Sequence, residues 1–196
     1  MIAYDFDNTI FKGDSSTGFY KYCLSKRPLL VIYYLLRSFP TLLLFIFKLR
    51  STIQAKDKLF AFVPKLNDII ELVEDYWDIN ERRIKEWYLK QYDQDDLVIS
   101  ASYDFIVKPI CERLNIKNVI ATDYHLKKGK TVSLHCYKEN KIIMFNEQYP
   151  KKKINAAYSD SPSDIPLLEY AKVGYAVKGN KIVPYEKGIF KKLRRM

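Results

Sequence analysis

The sequence predicts an α/β fold: a parallel sheet covered by helices on both faces, with an all-helical segment inserted after the first strand. Three observations carry this. Short apolar runs end in acidic or hydroxyl residues at four places, helix-like stretches separate the later runs, and no convincing strand occurs between Ser15 and Tyr92.

Met1–Phe6 reads as a short buried strand running straight into Asp5 and Asp7, with the turn-forming residues Asn8, Thr9 and Gly13 after it. Residues 97–100 (LVIS), Lys117–Ala121 and Asn155–Ser159 repeat the arrangement, the last two before Thr122-Asp123 and Asp160. Helices are expected over Tyr103–Leu114, Lys141–Tyr149 and Ile165–Ala171. Ligands of open α/β sheets bind at the carboxyl ends of such strands.

Between Ser15 and Tyr92 the period is helical, as in Leu66, Ile69, Ile70, Val73 and Trp77. The expected division is therefore a core of residues 1–14 and 93–196 with a helical cap at 15–92. Residues 28–47 (PLLVIYYLLRSFPTLLLFIF) approach the length of a membrane span. Arg37, Ser38 and Pro40 interrupt the middle, which predicts two short helices broken near Ser38–Pro40. These could form a hairpin that buries its apolar faces, or lie on a lipid surface with Tyr33, Tyr34, Phe39, Phe45 and Phe47 beside Lys48 and Arg50. A true span fits less well, its middle being too polar.

The net charge of +10 favours an anionic partner: phosphate esters, nucleic acid or an anionic membrane surface. Basic residues are dispersed, apart from 151–153 and the tail Lys187–Met196, with no aromatic-basic pattern, so no nucleic acid is expected. Cys23, Cys111 and Cys136 form no CxxC pair and only His125 and His135 are present, which speaks against a disulfide framework or a zinc site. The opening ten residues lack a basic leader, which predicts retention in the cytoplasm, with membrane association on its inner face through residues 28–47 and the tail.

Four elements carry chemistry. In Asp5-Phe6-Asp7-Asn8-Thr9, two carboxylates two residues apart at a strand end allow one to attack phosphorus and the other to move a proton. At Ser100, the hydroxyl and the N–H groups of Ala101 and Ser102 at a helix N-terminus would form an anion site; a simple cap is the plainer reading. A lysine must offset charge on a transferring phosphoryl group, and Lys141 competes with Lys151, Lys152 and Lys153. Ser159-Asp160-Ser161-Pro162-Ser163-Asp164 supplies two more carboxylates, a donor set suited to Mg²⁺.

In this order, the four elements resemble the haloacid dehalogenase superfamily of phosphatases, and within it the phosphoserine-phosphatase-like branch with a helical cap. D5-F-D-N-T9, VIS100, N140-K141 and S159-D-S-P-S-D164 look like its successive motifs, and residues 121–130 resemble the strand and hairpin found between them. The resemblance implies a Rossmann-like core and a Mg²⁺-dependent phosphomonoesterase. Asp5 would be the nucleophile and Asp7 the general acid and then base. Thr9 would steady the loop, while Ser100, Ala101 and Lys141 would hold the phosphoryl group. Asp5, the Asp7 backbone carbonyl and Asp160 would bind Mg²⁺, with Asp164 in support.

Asn8, Ser100-Ala101-Ser102 and Ser159 stand where relatives usually carry glycine, which weakens the case for phosphoserine itself. The apolar cap and basic tail lean towards a lipid or polyprenyl phosphate, with a small soluble phosphate ester as the rival. A non-catalytic anion-binding or regulatory module is the other class of reading. It leaves four converging acids without a purpose.

Overall fold

Strand formation begins at the second residue, where Ile2, Ala3 and Tyr4 supply a half- to fully buried apolar run. The computed structural model describes residues 1–195. In chain order the elements are β1 (Ile2–Tyr4), α1 (Ser15–Lys26), α2 (Pro28–Ile46), α3 (Thr52–Leu59), α4 (Ile69–Asn80), α5 (Glu86–Leu89), β2 (Leu97–Tyr103), α6 (Asp104–Arg113), β3 (Asn118–Thr122), β4 (Tyr124–His125), β5 (Lys130–Thr131), α7 (Asn140–Gln148), β6 (Ala156–Ser159), α8 (Ile165–Tyr170), β7 (Val173–Lys178), β8 (Lys181–Pro184) and α9 (Ile189–Arg195). Strands alternating with helices give the expected α/β architecture.

The main sheet has the order β3-β2-β1-β6-β7-β8. All neighbours are parallel except the β7–β8 hairpin, and β4–β5 forms a separate two-stranded hairpin. β1 lies at the centre, paired with β2 on one side and β6 on the other. The chain therefore leaves the neighbouring strand ends in opposite directions and opens a crevice there.

Successive residues of β1 face opposite sides of the sheet. Ala3 belongs to one core with Phe145, Leu167, Leu168 and Phe190, and Tyr4 to the other with Phe19, Phe62, Trp77 and Val107. Tyr4, Tyr158 and Tyr175 occupy one register across β1, β6 and β7, and their rings stack at 4.9 and 4.7 Å. The helical segment is joined to the core through α4, where the buried Trp77 donates from Nε1 to the Ile106 carbonyl at 2.8 Å. Trp77→Phe keeps most of the packing but removes this hydrogen bond between the helical segment and the core. The expected loss is about 1–2 kcal/mol, read as a lower denaturant midpoint at unchanged m-value.

Four features differ from the sequence reading. β2 does not stop at Ser100 but continues to Tyr103, with its register to β3 shifting between Ile99 and Tyr103. Ala101 and Ser102 therefore sit in an irregular strand and not at a helix N-terminus; α6 starts only at Asp104. The sequence reading did not include β7 and β8, of which β8 is the edge strand and both have several exposed positions. The two-residue Gly179-Asn180 turn, with Gly179 at φ +59°, was their sequence signal.

α2 is one helix, not two. Pro40 lies inside it without a break. The carbonyl that loses its partner belongs to Leu36, a residue 68% exposed, so water can replace the missing donor. Ser38 is buried and its hydroxyl reaches the Tyr34 and Lys58 carbonyls at 2.7 and 2.6 Å, tying the middle of α2 to the end of α3. Nor does α2 bury its apolar residues as a hairpin would: only Val31 and Ser38 are buried.

The basic tail is not free either. Ile189, Phe190 and Leu193 of α9 are buried in the second core, while Lys187, Lys191 and Lys192 face solvent. Met196, the last residue of that predicted tail, lies outside the described residues.

Candidate active site

Asp5 follows β1 directly and is held there by its backbone N–H, which donates to the Tyr158 carbonyl at 2.9 Å. The turn after it closes through Asn8, whose N–H reaches the Gly13 carbonyl at 2.9 Å and whose φ is +57°. Asparagine tolerates that left-handed geometry better than most side chains. Lys85 Nζ donates to the Asn8 carbonyl and to the Gly179 carbonyl, so a cation braces the turn from outside.

Lys141 lies in the first turn of α7 and is 1% exposed. Its Nζ donates to Asp5 Oδ1 and Asp164 Oδ2, both at 2.7 Å. Lys151, Lys152 and Lys153 are exposed and precede β6, so the geometry selects Lys141 among the four. Asp164 Oδ2 also accepts from the Ser159 hydroxyl at 2.8 Å, while its Oδ1 is buried without a hydrogen-bond partner among the described residues.

Thr9 joins the first and last motifs. Its hydroxyl contacts Asp5 Oδ2 at 3.0 Å and Asp160 Oδ1 at 3.3 Å, and accepts from the Asp160 N–H at 2.9 Å. Acids 155 residues apart in the chain thus border one cleft. Asp7 accepts from the Ser15 N–H at 2.6 Å and from the Ser102 hydroxyl, which in turn receives the Ser16 hydroxyl at 2.9 Å. Ser100 is buried behind it, its hydroxyl accepting from the Ser102 N–H at 3.0 Å. Ser102, rather than Ser100, is the hydroxyl that meets Asp7.

The cleft has a volume of about 220 Å³ and is lined by Asp5, Asp7, Lys56, Ser102, Lys141, Asp160 and Asp164, among others. Asp5, Asp7, Thr9, Ser100, Ala101, Lys141, Asp160 and Asp164 all lie at or immediately behind it. Sequence reasoning named only the N–H of Ser102 and missed its hydroxyl, and it missed Lys56. The hydroxyl could have been found on the residue two positions from Ser100, since alternate residues of a strand share a face. Lys56 comes from α3 and donates to the Ala101 carbonyl at 3.0 Å; nothing in the sequence pointed to it.

Electrostatically the cleft carries an excess of acid. Burial lifts the Asp5 carboxyl to about 8 against the pull of Lys141, with Asp164 and Asp160 adding to the rise. Burial likewise lifts Asp160 to about 6, opposed by the Thr9 hydrogen bond. Asp7 is raised by burial and by Asp14, with the Ser102 and Ser15 hydrogen bonds opposing. Lys141 is raised: burial works against its charge, but Asp164 and Asp5 outweigh it.

That imbalance is what a divalent cation would relieve. All the candidate donors are oxygens and one, Asp164 Oδ1, has no protein partner, so the site fits Mg²⁺. Among the described residues no three acidic, His or Cys side chains form a complete metal-ligand group by themselves. Mg²⁺ does not require one, because it is usually held by one or two carboxylates with water and phosphate oxygens completing its shell.

Comparison with known proteins gives the family. The model of the haloacid dehalogenase-like hydrolase family matches residues 2–169. The chain belongs to this family. As a member of it, the chain is 37% identical over 91 residues to a Mycobacterium tuberculosis (strain H37Rv) protein described as a probable phosphatase. That match covers 42% of this chain and 31% of the relative, so it spans about a third of the relative's length. Among solved structures, a Bordetella pertussis Tohama I protein of unknown function superposes with a TM-score of 0.76 at 16% identity, covering 100% of this chain and 94% of that one. A phosphoserine phosphohydrolase-like protein from Francisella tularensis SCHU S4 gives 0.56 at 18% identity, covering 91% and 87%. At these identities the structural likeness establishes a shared fold.

Proposed function

We propose that the chain is a Mg²⁺-dependent phosphomonoesterase acting through an aspartyl-phosphate on Asp5. The observation that carries this reading is the Lys141 ammonium set between Asp5 and Asp164, in a cleft also bordered by Asp7 and Asp160. An isolated acidic turn has no need of a buried lysine. A non-catalytic anion-binding module would gain nothing from an acid-rich cleft.

Asp5, in its carboxylate form beside the Lys141 ammonium, attacks phosphorus through Oδ2, the oxygen not held by Lys141, forming the acyl-phosphate bond as the bond to the leaving oxygen breaks. The protonated Asp7 gives its proton to the departing alcohol. Asp7 then takes a proton from water as that water attacks the aspartyl-phosphate, releasing phosphate and regenerating Asp5. Lys141 and the Ala101–Ser102 segment would meet the phosphoryl oxygens, and Thr9 keeps Asp5 and Asp160 in register. Mg²⁺, held by Asp5, Asp160 and the Asp7 carbonyl with Asp164 behind, would neutralise phosphoryl charge.

Turnover of p-nitrophenyl phosphate is the direct test. Activity is expected with Mg²⁺, lost on chelation with EDTA and restored when Mg²⁺ is added back. Metal-independent turnover would contradict the reading.

Ser102 has a separate, pH-dependent role in this scheme. Its hydrogen bond favours the charged form of Asp7, so Ser102→Ala raises the Asp7 pKa further. The acid form of Asp7 is needed in the first step, and kcat/KM falls as pH rises through that pKa. The alkaline limb of the profile should therefore move to higher pH in the variant; a shift to lower pH would remove Asp7 from the acid role.

A further inference from the structure

Beside the acid cleft lies a second cavity of about 440 Å³, and its chemistry is different. Tyr20, Leu42, Phe45, Ala55, Leu59 and Phe60 give it apolar walls. Asp14, Lys56, Ala101 and Tyr137 line both cavities, so the apolar one continues the acid cleft outward between α1, α2 and α3. A ligand with a phosphate at one end and a hydrocarbon chain at the other would occupy both at once.

The far wall of this cavity is the C-terminal half of α2, and among the described residues the whole of α2 exposes more large apolar side chains than any other element. Leu29, Ile32, Leu36, Phe39, Leu43 and Ile46 face outward on it, and Phe47 and Leu49 extend the patch. A solvated helix rarely keeps so many large apolar residues unless something covers them. The helix is long and apolar enough to cross a membrane by length and composition, at about 28 Å. Its packing argues against a crossing: Val31 is buried near its start, Ser38 is bonded to α3 at its middle, and Leu42 and Phe45 line the cavity near its end. It lies along the body and presents one side outward.

Charge identifies the covering surface. Between Asp14 and Asp57 the chain has no acidic residue and seven basic ones: Lys21, Lys26, Arg27, Arg37, Lys48, Arg50 and Lys56. Arg37, Lys48 and Arg50 border or interrupt the apolar face and are exposed, while Arg27 at its start is paired with Asp68. An apolar helix face flanked by cations matches an anionic lipid surface. Two copies of this helix placed face to face would bring Arg37, Lys48 and Arg50 together with no acid on the helix to pair them.

We propose that the substrate is a lipid phosphate, drawn from an anionic membrane face on which α2 rests, with its hydrocarbon chain held in the cavity between Tyr20, Leu42, Phe45 and Leu59. This rests on the phosphatase reading and adds the class of alcohol released. Lys56 stands where the two cavities meet, close to the phosphate end of such a ligand.

The test combines a chain-length series with vesicle binding. For the wild-type protein with Mg²⁺, kcat/KM is expected to rise at least about tenfold from ethyl phosphate to octyl phosphate, because added methylenes leave water. Leu42→Asp should cut the octyl-to-ethyl ratio by about tenfold. The protein should sediment with vesicles of phosphatidylcholine containing phosphatidylglycerol and stay in solution with phosphatidylcholine alone, and Leu36→Glu/Phe39→Glu should abolish sedimentation while retaining the wild-type circular dichroism. Hydrolysis of p-nitrophenyl phosphate with no chain-length gain, or with no vesicle binding, overturns the lipid assignment alone. A concentration-dependent dimer that ignores vesicles overturns it in favour of a second copy on α2. Inertness towards every ester overturns the phosphatase reading and the lipid assignment together.

Discussion

Asp5→Asn should leave a folded protein that hydrolyses p-nitrophenyl phosphate at least about 10³-fold more slowly than the wild type at saturating Mg²⁺. The amide has nearly the shape of the carboxylate but cannot act as the nucleophile. Folding should survive, because the substitution removes one negative charge from a cleft with too many. Asp5 is already pushed towards its neutral form by burial and by Asp164 and Asp160. Lys141 keeps Asp164 as its partner, also at 2.7 Å. The melting temperature should stay within a few degrees of wild type. Comparable turnover by the two proteins would assign the nucleophile elsewhere.

Lys141→Met should be damaging in two ways that can be separated. Its ammonium is, among the described residues, the one group that hydrogen-bonds both Asp5 and Asp164, and methionine leaves those buried carboxylates without their cation. Breaking a buried pair in this way costs about 3–5 kcal/mol, which at this chain length lowers Tm by roughly 10 °C. Turnover should fall by about 10²–10³-fold, since the charge opposite the phosphoryl oxygens is gone. Adding Asp164→Asn to Lys141→Met removes one stranded carboxylate and should recover part of the stability but none of the activity. Recovery of both would make Lys141 a structural residue only.

Much of this site was legible in the sequence because its chemistry is local to short segments. Asp5, Asp7 and Thr9 lie within five residues, as Ser159, Asp160 and Asp164 lie within six, and each group follows an apolar strand. Parallel pairing of β1 with β6 then brings the two groups together without further instruction. Lys141 was legible only through the order of motifs, since its sequence surroundings resemble those of Lys151–Lys153. Burial separates them, and burial is a property of the fold.

Other features depended on tertiary geometry. The extension of β2 through Ser102 follows from a register shift against β3, which no propensity scale records. Pro40 predicted a break in α2, but its cost is met where the helix faces solvent and where Ser38 anchors it to α3. The basic residues of the tail masked an apolar stripe, Ile189, Phe190 and Leu193, which packs into the core. Lys56 belongs to the site through a fold-dependent contact between α3 and Ala101.

A phosphate group caught on residue 5 would be the most direct evidence of mechanism. The protein is mixed with p-nitrophenyl phosphate and Mg²⁺, quenched in acid within the first turnovers, reduced with borohydride and mapped by peptide mass spectrometry. Reduction of an aspartyl-phosphate yields homoserine, expected at position 5 and absent from Asp5→Asn. Steady turnover with residue 5 recovered as unmodified aspartate, or the modification found at another acid, would contradict nucleophilic attack by Asp5.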